Sequence, residues 1–155
     1  MADTPLSATA AQSSDLRVVV LTPSRKVLDT QCDDVYFPTL QGILGVLPGH
    51  TSLVCQLGTG LIHYTRGNVT SFLTVSGGVA EVFNNTVTML ADVAEDPATI
   101  DSARAEKALQ RARVRLAGVT AAGEDQLNME RASRAELRAL ARLEASVGKQ
   151  SQVRH

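Results

Sequence analysis

The sequence predicts an α+β chain, a β-sandwich followed by an antiparallel two-helix hairpin. Two observations carry this prediction. The first is a split in side-chain type. Residues 16–93 hold 13 Val, 10 Thr and all five aromatics but only 2 Ala, whereas residues 98–147 hold 13 Ala, 3 Val, 2 Thr and no aromatic. β-Branched and aromatic side chains fit a pleated sheet. Ala, Arg, Leu and Glu lose little rotamer freedom in a helix. The second is a split in charge at the same place. Residues 1–97 carry 4 basic and 9 acidic side chains, and residues 98–155 carry 11 basic and 7 acidic. The boundary falls near Asp96-Pro97, which divides the chain into a sandwich over 16–96, a hairpin over 97–147 and a tail over 148–155.

Residues 1–15 contain no Lys or Arg and no apolar core, so they read as a disordered lead-in rather than a secretory or transit signal. The β-half reads as short strands with closely spaced turn signals, the pattern of a sandwich or barrel. Candidate strands are 16–21, 25–28, 32–37, 43–47, 53–57, 60–65, 69–75, 79–84 and 87–92. Arg66-Gly67-Asn68 turns between two of them, Asn84-Asn85 has the residue type of a type I′ turn, and Gly77-Gly78 marks a bend or bulge. Helix one starts near Pro97, with Asp96 or Thr99 as cap and Asp101 in its first turn, and ends near Leu116 with Gly118 just past it. A polar link over 118–126 leads to helix two, roughly 127–147, which stops at Gly148. The side chains expected to pack are Ile100, Ala105, Ala108, Leu109, Ala112 and Leu116 from helix one, and Leu137, Leu140, Leu143 and Val147 from helix two. Such thin stripes bury little area, so the hairpin is a candidate moving part on a rigid sandwich.

Composition excludes several classes. The net charge of −1 argues against a basic nucleic-acid binder, and five aromatics without Trp offer little stacking surface. The longest apolar run is four residues, Val18 to Leu21, too short to insert into a bilayer. Cys32 and Cys55 form no CxxC and read as free thiols. His50, His63 and His155 show no metal spacing, Asp33 and Asp34 point to opposite faces of a strand, and Ser76 lacks a GxSxG context. An enzyme is therefore not expected. A free-standing carbohydrate- or peptide-binding sandwich is the competing reading.

Three motifs carry a resemblance. Gly42-Ile-Leu-Gly45-Val-Leu-Pro48-Gly49-His50-Thr-Ser-Leu53 resembles the G-x-x-G-[IV]-x-PGH-x-x-L segment of the epsilon subunit of rotary ATP synthases. Ser76-Gly77-Gly78-Val-Ala-Glu81-Val82, followed by Val87-Thr-Met-Leu90-Ala91, resembles that family's SGG-x-x-EV…V-T-x-LA segment. Ile100-Asp101-Ser-Ala-Arg104-Ala105 is similar to the [IL]-D-x-x-R-A motif that opens its first C-terminal helix. The motifs occur in the family's order across about residues 16–145, with Ile43 where an acidic residue is common and Ser52 where Pro is common. The resemblance implies a ten-stranded sandwich carrying a helix hairpin. It implies a non-catalytic subunit of the central stalk of a proton-translocating ATP synthase, peripheral on the cytoplasmic face of a bacterial inner membrane. The sandwich would bind gamma and sit on the ring of c-subunits. The hairpin would fold down, or extend toward the alpha and beta subunits of the catalytic head and block ATP hydrolysis.

Two constellations follow. Gly42, Ile43, Gly45, Pro48, Gly49 and His50 form a segment that turns sharply. It reads either as a tight inter-strand loop, with His50 capping a backbone carbonyl, or as a loop presented to the c-ring. Arg104 and Arg111 share one face of helix one, and Arg138 and Arg142 share one face of helix two. An antiparallel hairpin could gather the four guanidiniums around a triphosphate, with Glu95 and Asp101 placed to accept hydrogen bonds from a purine amine or ribose hydroxyls. The competing reading is a solvated basic face plus a capping Asp. In ATP-binding members of the family, residues matching Glu95, Asp101, Arg104, Arg111, Arg138 and Arg142 line the site. No P-loop is present, so ATP would be a regulatory ligand and no cofactor is obligatory.

Overall fold

The structure is a computed structural model that describes residues 15–122 and 126–151, with side-chain surroundings for 15–118 and 128–147. The lead-in before residue 15, the middle of the inter-helix link and the end of the tail lie outside the described residues. Eight strands come first: β1 (Leu16–Leu21), β2 (Lys26–Cys32), β3 (Asp34–Thr39), β4 (Gly42–Val46), β5 (Leu53–Gln56), β6 (Thr59–Arg66), β7 (Val69–Phe83) and β8 (Thr86–Glu95). A 3-10 turn (Pro97–Thr99) leads to α1 (Ser102–Ala122) and α2 (Gln126–Ser151).

The strands are hydrogen-bonded in the order β2-β1-β8-β7-β6-β3-β4, with β5 on the far half of β7. β1 and β8 run parallel and the other pairs antiparallel. One core cluster gathers buried side chains from both ends of this order, Val18 and Val20 of β1 with Phe37 of β3 and Val46 of β4, so the sheet doubles over into a sandwich. Alternation sets the faces: in β1, Leu16, Val18 and Val20 are buried while Arg17 is exposed.

Among the described residues the strand count is eight, not the ten that the resemblance implies or the nine read from turn signals. The segments 69–75 and 79–84 are one strand. Gly77 and Gly78 take φ of +67° and +109°, yet pairing with β8 keeps register across them, from Ser76↔Val93 to Gly78↔Ala91. On the opposite edge, β6 pairs before the glycines and β5 after them. The glycines thus bend the strand without interrupting it. A further contact, Thr39↔Leu57, remains an isolated bridge. Asn84 and Asn85 make the expected turn, with φ of +47° and +54°.

The helix starts also differ from expectation. Asp96 Oδ1 accepts from the Ala98 backbone N–H at 2.7 Å and caps only the 3-10 turn. Ile100 is extended, which resets the chain. Asp101 Oδ1 then accepts from the Arg104 backbone N–H at 3.0 Å, so Asp101 is the cap of α1 rather than a first-turn residue. Neither Gly118 nor Gly148 ends a helix, because the Ala-rich sequence carries each helix past it.

Candidate functional site

Helix packing decides what the hairpin presents. Ala105 and Ala112 of α1 are buried, as are Ala132, Ala139, Ala141 and Ala145 of α2. The leucine stripe expected to pack from α2 faces outward instead: Leu137 is 50% exposed and Val147 64%. Methyl side chains let two helices approach closely, and the bulkier stripe is left on the far side. Leu143 and the α1 residues Ala108, Leu109 and Leu116 are half-buried. Arg113 Nε donates to Glu136 Oε1 at 3.1 Å and ties the two helices together. That pair was legible in principle, since hairpin symmetry about the link puts residues 113 and 136 opposite each other.

At the joint between sandwich and hairpin, a cleft of about 330 Å³ is lined by Glu95, Thr99, Ile100, Asp101, Arg104, Arg111 and Arg142, with two alanines. Five of the six expected ligand residues therefore meet. Arg138 sits next door, in a recess of about 190 Å³ shared with Arg111, Arg115 and Arg142. Each carboxylate of the cleft has a protein partner. Asp101 caps α1. Glu95 accepts a two-pronged fork from Arg142, Nε to Oε2 at 2.6 Å and Nη2 to Oε1 at 3.0 Å. Arg104, Arg111 and Arg138 pair with no carboxylate among the described residues. Arg104 and Arg111 at the cleft, with Arg138 in the adjoining recess, suit an anion with several oxygens. No group of three or more metal-ligating side chains occurs among the described residues.

The second constellation splits between two elements. Gly42, Ile43 and Gly45 lie on β4, paired with Thr39, Pro38 and Tyr36 of β3. Gly45 has no Cβ because the Tyr36 ring lies across it, 2.6 Å from where one would stand. Pro48 and Gly49 form a tight turn closed by the His50 backbone N–H on the Leu47 carbonyl at 3.1 Å. Gly49 takes φ of +84°, which favours glycine there. The His50 ring Nδ1 lies 2.8 Å from the Thr51 carbonyl, as the loop reading had it. Beside this loop Leu40, Ile43 and Leu47 are exposed, at 69%, 69% and 54%. Leu40 and Leu47 were not singled out from sequence; both flank the glycines by a few residues.

Elsewhere the side chains are structural. His63 packs edge-on to Phe72, with ring centroids 4.9 Å apart. Cys32 and Cys55 are free thiols. Burial, with the nearby Asp34 and Asp33 carboxylates, pushes the Cys32 thiol up to about 11, and burial also raises that of Cys55. No helix among the described residues is long and apolar enough to cross a membrane.

Comparison with known proteins adds the family. Residues 15–97 match the family described as ATP synthase, Delta/Epsilon chain, beta-sandwich domain. The ATP synthase epsilon chain of Maridesulfovibrio salexigens is 44% identical over 92 residues, covering 59% of this chain and 65% of that one. The epsilon chain of Nitratidesulfovibrio vulgaris is 41% identical over 128 residues, covering 83% and 92%. That of Alkalihalophilus pseudofirmus is 45% identical over 103 residues, covering 66% and 77%. A chain in the structure of the Euglena gracilis mitochondrial ATP synthase shares the fold, with a TM-score of 0.72 and 23% identity over 94% of this chain and 90% of that one. The chain belongs to the ATP synthase delta/epsilon family, among its epsilon chains.

Proposed function

We propose that this epsilon chain is a non-catalytic central-stalk subunit of a proton-translocating ATP synthase, and that its hairpin is a brake on ATP hydrolysis gated by ATP. The sandwich joins gamma to the c-ring, with Gly42, Ile43, Gly45, Pro48, Gly49 and His50 on the c-ring side. The relatives' name, epsilon chain, and the description of the Euglena assembly as OSCP/F1/c-ring support a place in the stalk of the synthase. The subunit works peripherally, on the cytoplasmic face of a bacterial inner membrane. When the hairpin extends, its partners are the alpha and beta subunits of the head.

The observation that carries the brake is the cluster of Arg104, Arg111 and Arg138 at the joint between β8, α1 and α2, which pair with no carboxylate among the described residues. Like charges gathered at one joint repel, and the repulsion favours opening. ATP in the cleft would neutralise them and favour the folded-down form. A ligand shifts such an equilibrium only by its differential affinity for the two forms. At a hundred times its dissociation constant, binding to one form alone adds ~2.7 kcal/mol. When ATP falls, the hairpin extends and stops wasteful hydrolysis.

Calorimetry of the free subunit at millimolar ATP tests the site: heat is expected, and Arg104→Ala or Arg138→Ala reduces it. Deleting residues 98–155 tests the brake: hydrolysis by the assembled enzyme is expected to rise. No heat, together with hydrolysis unchanged by the deletion, would leave the hairpin a structural tail.

A further inference from the structure

We infer that the Glu95–Arg142 fork is a built-in latch, which holds the hairpin on the sandwich in the absence of any ligand and opposes the repulsion of the neighbouring arginines. The inference rests on reading the hairpin as movable. Little else at this joint is directional. The floor under α2 offers Thr59, Thr74, Val75, Ser76 and Val93, with Ala141 and Arg138 above. Those hydroxyls are bonded within the sheet: Thr59 Oγ1 to Ser76 Oγ at 2.9 Å, and Thr74 Oγ1 donating to the Glu95 carbonyl at 3.2 Å. Ala141 meets this floor with only a methyl group, which is non-directional and buries little area of its own. The fork, by contrast, engages both carboxylate oxygens, the strongest geometry open to a guanidinium.

Position gives the fork leverage. Glu95 is the last residue of β8, one residue before the connection to the hairpin, and Arg142 lies 47 residues later on the second helix. Closing this one pair docks α2 and leaves α1 between it and the connection. Both side chains are about one-third exposed, 32% and 33%, so the latch is accessible to salt. A polyphosphate that recruited Arg142 would break the fork. One held by Arg104, Arg111 and Arg138 would leave it shut and remove the opposing repulsion. The latch and the anion cleft then act in the same direction through separate arginines.

The test is the distance between spin labels on Asn68→Cys, at the exposed β6–β7 turn, and Ser133→Cys, exposed on α2, in the full chain with Cys55→Ala and without nucleotide. Glu95→Gln should raise the open-to-closed ratio roughly five-fold, the upper scale for a partly exposed ion pair. Arg142→Gln should do the same, and Glu95→Arg combined with Arg142→Glu should restore closure. Inorganic triphosphate should reclose Glu95→Gln through the remaining arginines. A distance distribution unchanged in both single variants overturns the latch, as does opening that the charge swap fails to reverse. The sandwich melting transition, read on each variant, identifies any that is misfolded, and the other single variant then decides. Because the measurement involves no other subunit, the latch can fail while inhibition of hydrolysis stands, and the reverse.

Discussion

The backbone N–H of Gly49 donates to Oδ1 of Asn85 at 2.7 Å, across 36 residues of chain. It joins the Pro48-Gly49 turn to the β7–β8 hairpin. Asn85 also takes φ of +54°, and its carbonyl accepts from the Arg17 backbone N–H at 2.9 Å. One residue therefore sets a turn, starts the β1–β8 pairing and anchors the loop proposed to face the c-ring.

Asn85→Gly keeps the positive φ and loses the amide, so it should cost ~1 kcal/mol, the scale of one hydrogen bond. Asn85→Ala loses both and should cost ~2–3 kcal/mol. Chemical denaturation gives the two values. Hydrogen exchange at the Gly49 amide should quicken in both variants.

The glycines are not equivalent. A Cβ on Gly78 would strike the Leu90 carbonyl and the Ala91 backbone, and φ of +109° strains any side chain there. Gly78→Ala should therefore cost over ~3 kcal/mol or abolish folding. A Cβ on Gly45 meets only the ring of Tyr36, which is 42% exposed and free to swing outward. Gly45→Ala should cost under ~1.5 kcal/mol. Thermal unfolding of the two variants separates them, and equal losses would mean that backbone contact is not what Gly78 avoids.

Asp29 supplies the acid dependence. Hydrogen bonds from Arg17 (3.0 and 3.1 Å) and Lys26 (2.7 Å) hold its carboxyl down to about 2, from 3.8. Because the folded value is depressed, the stabilisation is present above the ordinary carboxylate range and is lost as pH falls from about 4 through about 2. A carboxyl-carbon NMR titration should place the Asp29 midpoint near the lower limit. Arg17→Ala should move it up, and Lys26→Ala should move it by less.

Much of this arrangement was legible in the sequence because it depends on local chemistry. The Val- and Thr-rich half becomes the sheet, and Asn84-Asn85 makes its turn. Arg104 and Arg111 share the cleft because helical spacing puts them on one face of α1, and that Glu95, Asp101 and Arg142 join them was implied by the family resemblance. What escaped depends on neighbours distant in sequence. Whether Gly77-Gly78 ends a strand is decided by β8, which holds register on both sides of them, with β6 pairing before and β5 after. That Glu95 is engaged by Arg142 follows from how α2 docks. Which stripe of α2 faces inward is decided by the closeness of α1, and single-helix periodicity favours the larger residues.

That last point gives the hairpin its sharpest test. Ala139 is 1% exposed, whereas Leu137 is half exposed. Ala139→Leu inserts three carbons at a buried position of α2, and overpacking of that kind costs ~1–3 kcal/mol. Leu137→Ala removes carbons that already face water and should cost under ~1 kcal/mol. A reading with the leucines inward predicts the opposite ranking. The sandwich core draws its residues from 16–94, so its unfolding should be untouched by either change. Ala139→Leu should instead lower the helical signal melting ahead of the sheet, and it should loosen the hairpin with the Glu95–Arg142 fork chemically intact. Circular dichroism followed at separate helix- and sheet-sensitive wavelengths measures both transitions in one sample. A single cooperative melt shifted equally at both wavelengths would show that the helices and the sandwich unfold as one unit, with no independent hairpin to open.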